Sequence, residues 1–299
     1  MVRTVTVTEE RPEGTSTETL ALIAALVTVV LWASAFVGIR AAGEDLAGGP
    51  LALARLLVAS LALGGLLALR PSKLPARGDW SRIVICGVLW FGVYNIALNE
   101  AERRIDAGTA AMLVNVGPVF IALLAGVVLH EGFPRTLLVG CAVAFAGAVT
   151  IGLATAGGDL APSWGAALCV LAAATWAGGV VAQKPLLEHN SPLMVTLLSC
   201  LVGAAVCLPF GPSMIDQLGH ASGGTIAWIV YLGVVPTAIA FTTWAYALSH
   251  TSAGRMGSTT YLVPPIAILL GWLILSETPP LLAIPGGLLC LTGAWLARR

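Results

Sequence analysis

The chain has 299 residues, of which 58% are hydrophobic and only 10% are charged, and its formal net charge is zero. Soluble domains carry about 25% charged residues, so this chain has too few charges to cover a water-exposed surface. A balanced charge also provides no basic face for nucleic acid. The composition therefore predicts an integral membrane protein that contacts the lipid bilayer and binds no nucleic acid.

Residues 1–19 are polar with mixed charges, and we predict a short disordered cytoplasmic tail there. The apolar run that begins at Leu20 is about 20 residues long, which exceeds the core of a usual signal peptide. The segment Ala33-Ser34-Ala35 resembles a signal-peptide cleavage site, but the length of the run favours an uncleaved first helix.

Further apolar runs follow the first, and about 20 residues suffice to cross ~30 Å of hydrocarbon as a helix. The breaks between the runs hold nearly all of the prolines and charged residues, for example at Gly211-Pro212. The predicted fold class is an all-α integral membrane protein with ten transmembrane helices. The predicted spans are 20–39, 51–69, 83–100, 107–129, 136–155, 164–182, 193–210, 225–247, 256–275 and 281–297.

The chain contains an internal repeat. A shift of 146 residues aligns residues 101–153 with 247–299 without a gap, and 12 of the 53 positions are identical. Each copy has a proline, a glutamate 13 residues later and two glycines seven residues apart; these are Pro118, Glu131, Gly140 and Gly147, then Pro264, Glu277, Gly286 and Gly293. We therefore predict two five-helix repeats, residues 20–155 and 164–299. Because five is odd, the second repeat is inverted in the membrane, as in many secondary transporters.

The repeated residues have predicted structural roles. Pro118 and Pro264 free backbone carbonyls and can bend a helix, so we expect them to shape a cavity or a hinge. Glu131 and Glu277 fall at helix ends on opposite faces of the membrane. They are expected to make either ordinary helix-end contacts or the contacts of a gate. The paired glycines share a helix face and favour close helix packing.

A transporter site is expected near the membrane midplane, where the two repeats meet. Polar and aromatic side chains deep in the spans are therefore candidates for substrate binding. The alternatives to substrate binding are packing for tryptophan, hydrogen bonds to the helix's own backbone for serine and threonine, and hydrogen bonds between helices for asparagine. The predicted substrate-binding set is Trp32, Ser34, Tyr94, Asn95, Asn99, Asn115, Trp176, Thr242 and Tyr261.

The central thirds of the spans contain no Asp or Glu. Proton-driven pumps usually hold a carboxylate within the membrane, so we predict facilitated or exchange transport instead. Arg55 and Glu100 lie at similar depths near the predicted outer face. They are expected either to form a salt bridge that opens during transport or to act separately, with Arg55 reaching toward the headgroups.

No catalytic motif is present, and the four histidines and six cysteines form no cluster with metal-ligand spacing. We therefore predict neither a metal nor a cofactor and no enzymatic activity. An intramembrane lipid-modifying enzyme is the alternative from a different class, and it would require a group of His, Asp or Glu at one depth.

Several segments carry a family resemblance, namely Leu31-Trp32-Ala33-Ser34-Ala35-Phe36, Asp106-Ala107-Gly108-Thr109-Ala110-Ala111, Gly117-Pro118 with Glu131, and Val263-Pro264-Pro265 with Glu277. From Leu20 to Arg299 the chain resembles the EamA-like ten-helix branch of the drug/metabolite transporter superfamily. The resemblance implies a central cavity between the halves and export of a small polar metabolite, such as an amino acid or a derivative. Multidrug efflux is the alternative substrate class, and both a monomer and a homodimer remain open.

The distribution of Lys and Arg predicts the topology. With the N-terminus inside, eleven of these residues lie on the inner side and four on the outer side, which places both termini in the cytoplasm of a cell-membrane protein. In a cysteine-free background, single cysteines at Ser72 and Ser222 should react with an impermeant thiol reagent from opposite sides. Labelling of both from one side would contradict the topology.

Overall fold

The computed structural model describes residues 13–105, 107–155, 164–276, 281 and 283–297, and these residues are helical with short connections and no strand. Within them we number ten helices in chain order. They are α1 (Glu13–Ala42), α2 (Gly48–Leu69), α3 (Arg77–Glu102), α4 (Ala107–Val114 with Gly117–Val128), α5 (Arg135–Thr155), α6 (Trp164–Leu186), α7 (Pro192–His220), α8 (Gly223–Ser249), α9 (Ala253–Leu275) and α10 (Ala283–Ala297).

Eight of the described helices are long and apolar enough to cross a membrane. Two shorter apolar helices, Arg135–Gly147 and Ile284–Ala297, occupy the places of the fifth and tenth predicted spans. The predicted all-α membrane class is confirmed.

The largest differences from the predicted boundaries lie at the start of α1 and at the end of α7. Helix α1 begins at Glu13, inside the predicted tail, and residues 1–12 lie outside the described part of the chain. The predicted break at Gly211-Pro212 is wrong, because α7 continues through a 3-10 turn into Gly211–His220. Pro212 occupies the first turn of that last segment, where its missing N–H removes no helical hydrogen bond.

The repeat is visible in the backbone. A π-helical turn over Gly87–Val93 in α3 recurs over Gly233–Ile239 in α8, 146 residues later. The break in α4 after Val114 corresponds in the same way to the 3-10 turn Thr260–Leu262 in α9.

Pro118 and Pro264 lie in the first turn of the helical segment that follows each of these breaks. Proline is favoured at this position because the first N–H groups of a helix have no intrahelical partner. Each proline therefore starts a new helical segment at the break.

The equivalent helices α3 and α8 run in opposite directions. Near the end of α3, the Glu100 carboxylate accepts the N–H of Gly48 at the start of α2 (3.0 Å). In the adjoining α1–α2 connection, Asp45 accepts the N–H of Ser222, which immediately precedes α8 (3.0 Å). Helix α3 therefore ends where α8 begins.

All five helices of the first half pack against helices of the second half. Helix α1 packs against α8 and α9, α2 against α7 and α8, α3 against α6 and α7, and α4 against α6. The buried core consequently lies between the halves. Helices α5 and α10 pack mainly against each other.

The α5–α10 contact depends on glycine. A Cβ atom added at Gly140 would lie 2.4 Å from the backbone N of Ala297, and one at Gly293 would lie 2.3 Å from the backbone N of Ala144. The predicted close approach is therefore present at Gly140 and Gly293, where backbone meets backbone and cannot yield as a flexible side chain would.

We expect Gly293→Ala to lower the free energy of unfolding by about 1–3 kcal/mol, because α5 and α10 must separate to admit the methyl group. The control is Gly65→Ala in α2, where an added Cβ meets no atom within 4 Å. Melting temperatures of both variants in detergent give the comparison. Equal stability of the two variants would contradict the close-packing account.

Candidate functional site

A central cavity lies where the halves meet. The first half lines it with Trp32, Arg55, Tyr94 and Asn115, among others, and the second half with Trp176, Phe241, Thr260 and Val263. Aromatic and aliphatic side chains with a few polar groups among them are typical of the lining of small-molecule sites.

One wall of the cavity is aromatic. The Trp32 ring centroid lies 4.8 Å from that of Trp244, 5.4 Å from Phe241, 6.0 Å from Trp90 and 6.1 Å from Trp176. Several of these pairs meet edge to face, an arrangement that aromatic quadrupoles favour. The rings therefore support one another across both halves.

Glycines in facing helices make room for two of these rings. A Cβ at Gly117 would lie 2.4 Å from Cε3 of Trp176, and a Cβ at Gly179 would lie 2.5 Å from Cβ of Trp90. The Gly117-Pro118 pair thus has two local functions: the glycine receives Trp176 and the proline starts the second segment of α4.

Asn115 lies in the break of α4, and its side chain reaches the cavity. Its Nδ2 donates to the carbonyl of Ala111 at 2.7 Å. Its Oδ1 is buried and has no hydrogen-bond partner among the described residues. Buried polar atoms nearly always have a partner, so this acceptor is suited to a donor on a bound solute.

Arg55 also lines the cavity, and both sequence-based interpretations of it are wrong. It is 3% exposed, so it does not reach toward the headgroups, and it forms no ion pair with Glu100 or with any other described residue. Its Nε and Nη2 donate to Oγ1 of Thr237 at 3.2 and 2.9 Å. The reason is geometric: this face of α2 packs against the π-helical turn of α8.

Glu100 instead contacts the C-terminal end of its own helix and the start of α2. It forms salt bridges with Arg103 and Arg104 and accepts the N–H of Gly48. The neighbouring carboxyl of Glu102 is the buried one, and it interacts electrostatically with Arg55. Helical spacing alone does not distinguish the two glutamates, because both lie in the last turn of α3.

Asn95 and Asn99 were expected in the cavity and lie outside its lining. Asn95 Nδ2 donates to the carbonyls of Trp90 and Phe91 at 3.2 and 2.9 Å, which the π-helical turn leaves available. Asn99 Nδ2 donates to the carbonyl of Gly48 at 3.2 Å and so joins α3 to α2. Asn95 therefore stabilises the π-helical turn of α3, and Asn99 stabilises the contact of α3 with α2.

Three other candidates also lie outside the lining. Ser34 shares a hydrogen bond with the Tyr231 hydroxyl at 2.6 Å, and Thr242 bonds to its own helix at 2.7 Å. Tyr261 is fully buried in a separate cluster with Cys141 and other residues of α4, α5 and α10. The repeat therefore equates Asn115 with Tyr261 in sequence, while only Asn115 reaches the cavity.

At one end of the bundle, Glu131 joins the two halves. Its carboxylate accepts the N–H groups of Ala253 and Gly254 at 2.7 and 3.1 Å, at the start of α9. A carboxylate at a helix N-terminus is favoured by the free N–H groups and by the helix dipole. Glu277, its repeat equivalent, lies outside the described residues.

At the other end, Asp45 makes a matching contact between the halves. Hydrogen bonds from the Thr225 hydroxyl and from the backbone of Ser222 hold the pKa of the Asp45 carboxyl below its usual value. A carboxylate from the first half thus meets the start of a second-half helix at each end of the molecule.

Two cations cap helix ends in equivalent places. Arg40 Nη1 donates to the carbonyl of Glu102 at the end of α3 (3.1 Å), and Lys184 Nζ donates to that of Leu248 at the end of α8 (2.8 Å). Basic groups stabilise helix C-termini, where carbonyls lack intrahelical partners. This pair was not predicted, although the sequence carries a signal for it: Arg40 and Lys184 are related by the same 144-residue shift as Trp32 and Trp176.

The all-helical fold and a cavity shared by two related halves define a multi-pass membrane protein of the transporter class. The model of the EamA-like transporter family matches the chain twice, over residues 19–153 and 163–299. The chain belongs to the EamA-like transporter family, which confirms the resemblance found in the sequence.

Several relatives match over nearly their full length. A probable terminal-alkyne amino-acid exporter of Streptantibioticus cattleyicolor is 38% identical over 93% of each chain. The uncharacterized transporter YdfC of Bacillus subtilis is 33% identical over 91% of this chain and 89% of its own. A solved crystal structure with 19% identity superposes with a TM-score of 0.75 over 93% of this chain and 96% of that one, which shows a shared fold.

Proposed function

We propose that this protein is a secondary transporter that exports a small polar metabolite, an amino acid or a derivative, across the cell membrane. The observation that carries the proposal is the central cavity, because both halves line it and it holds the unpaired acceptor of Asn115. Ten membrane-crossing helices in two inverted repeats, with both termini in the cytoplasm, complete the proposed architecture.

The names of relatives support export of amino-acid-like solutes. Besides the 38% identical exporter, a protein of Escherichia coli that is 24% identical over 92% of this chain is named a probable amino-acid metabolite efflux pump. The lining suits such solutes chemically, since its aromatic side chains can contact an apolar side chain while Asn115 and Arg55 provide polar partners.

The contacts at the two ends support alternating access. Glu131 links the halves at one end and Asp45 at the other, and each contact consists of a carboxylate on a helix start. Such contacts can open without uncovering a large apolar surface. We propose that releasing the Glu131 contact opens the cytoplasmic side and releasing the Asp45 contact opens the outside.

We expect Asn115→Ala to reduce transport of a labelled amino acid in proteoliposomes by about tenfold, because a buried hydrogen bond to the solute is lost. Its expression and melting temperature should stay near those of the unaltered protein. The control is Thr292→Ala, which removes a comparable bond to the helix's own backbone on the exposed side of α10. Lower stability with unchanged transport per molecule would make Asn115 a packing residue.

We propose that transport proceeds down the solute gradient or by exchange, without obligatory proton antiport. The engagement of Glu100 by two arginines supports this, because a carboxylate held as an anion is a poor proton carrier near neutral pH. Flux in proteoliposomes should therefore persist without an imposed pH gradient.

Uphill accumulation that appears only with a pH gradient would contradict this proposal. Two variants then identify the carboxyl involved. Loss of proton coupling in Glu100→Gln would identify the carboxyl that is paired with Arg103 and Arg104. Loss in Glu102→Gln would identify the buried carboxyl that interacts with Arg55.

A further inference from the structure

Arg55 is a buried guanidinium that forms no ion pair with any residue the structure describes. Its Nε and Nη2 both donate to the neutral hydroxyl of Thr237, and Nη1 has no hydrogen bond to the described residues. An unpaired charge in a low-dielectric interior is costly, so such residues within a membrane usually mark a functional site.

No carboxylate of the described residues lies within salt-bridge distance of Arg55. The Glu102 carboxyl interacts with it electrostatically but forms no ion pair with it. Tyr94 beside it presents a neutral phenol, and the rest of the lining consists largely of aromatic and aliphatic side chains. A solute that enters this cavity therefore meets a single fixed positive charge, and a negatively charged group gains the most from it.

The planar geometry of the Arg55 guanidinium favours one kind of anion. A guanidinium presents planar, paired N–H groups that match the two oxygens of a carboxylate. The aromatic part of the same lining, with Trp32, Trp176 and Phe241, presents ring surfaces that suit the hydrocarbon part of the same solute. A compact carboxylate with an apolar body therefore fits both walls.

The hydrogen bonds of Thr237 connect this site to the backbone of α8. Its hydroxyl accepts from Arg55 and donates to the carbonyl of Leu232 at 2.7 Å, across the π-helical turn. A carboxylate that draws the guanidinium toward the cavity competes with this bond. Solute binding is thereby linked to α8. This helix carries Phe241 and is followed directly by α9, whose first N–H groups bond to Glu131.

We propose that Arg55 binds the carboxylate of the transported solute and makes a carboxylate, with an apolar body against the tryptophan wall, the requirement for recognition. This rests on the proposed transport function and deepens it by naming the chemical class of the solute. The interaction assigns Arg55 to substrate recognition, and Thr237 positions it.

The test uses three matched probes on the purified full-length protein in detergent: L-leucine, leucinamide, which lacks the carboxylate, and isocaproate, which lacks the amine. Binding is measured by calorimetry. Leucine and isocaproate should bind, and leucinamide should bind about thirtyfold more weakly or not at all, as expected when one partner of a buried charge pair is removed. Equal binding of leucine and leucinamide would overturn the proposal.

Variants then assign the discrimination to Arg55. Arg55→Gln should bind leucine and leucinamide equally, and Arg55→Lys should keep the preference at lower affinity because the charge stays while the paired geometry is lost. Arg82→Gln, on an exposed position of α3, is the control and should leave the preference intact. A folded Arg55→Gln protein that still prefers leucine would refute the assignment. An Arg55→Lys protein that keeps both the preference and the original affinity would also refute it.

Proteoliposome flux separates this inference from the transport function itself. Flux of leucinamide equal to that of leucine, unaffected by Arg55→Lys, would leave the transporter proposal standing and refute the carboxylate requirement. Carboxylate-dependent binding without flux of any probe would keep the role of Arg55 and count against the transport function.

Discussion

The structure depends on two close helix crossings between the halves. A Cβ atom at Gly87 would lie 2.5 Å from Cβ of Val202, and one at Gly233 would lie 2.6 Å from Cβ of Val58. Lipid is as apolar as a leucine side chain, so helices in a bilayer associate through close packing and polar contacts. These crossings hold α3 on α7 and α8 on α2, which is what makes the halves interlock.

The two crossings are equivalent under the repeat, and each lies at the first residue of a π-helical turn. A π-helical turn shifts the backbone register and leaves carbonyls without their usual partners. Asn95 satisfies those in α3, and Thr237 satisfies one in α8. The turn in α8 thereby places Thr237 against Arg55, so the helix crossing and the candidate site share the same backbone distortion.

A symmetric scaffold thus supports an asymmetric site. The repeat equates Arg55 with Ser199, and Asn115 with Tyr261, and in both pairs only the first-half residue lines the cavity. The aromatic wall, in contrast, draws on both halves through Trp32 and Trp176. Symmetry provides two interlocking helix bundles, while departures from it place Arg55 and Asn115 in the cavity without their repeat equivalents.

The sequence by itself determined the membrane class, the all-helical fold, the repeat and the family, because these follow from hydrophobic composition and from spacings along the chain. Depth within a span also identified Trp32, Tyr94, Asn115 and Trp176 as residues that reach the cavity. Only the tertiary structure decided that Arg55 bonds to Thr237, that Asn95 serves the π-helical turn and that Tyr261 faces α5 and α10. Depth is read along one helix, whereas the direction of a side chain depends on the register and rotation set by packing against its neighbours.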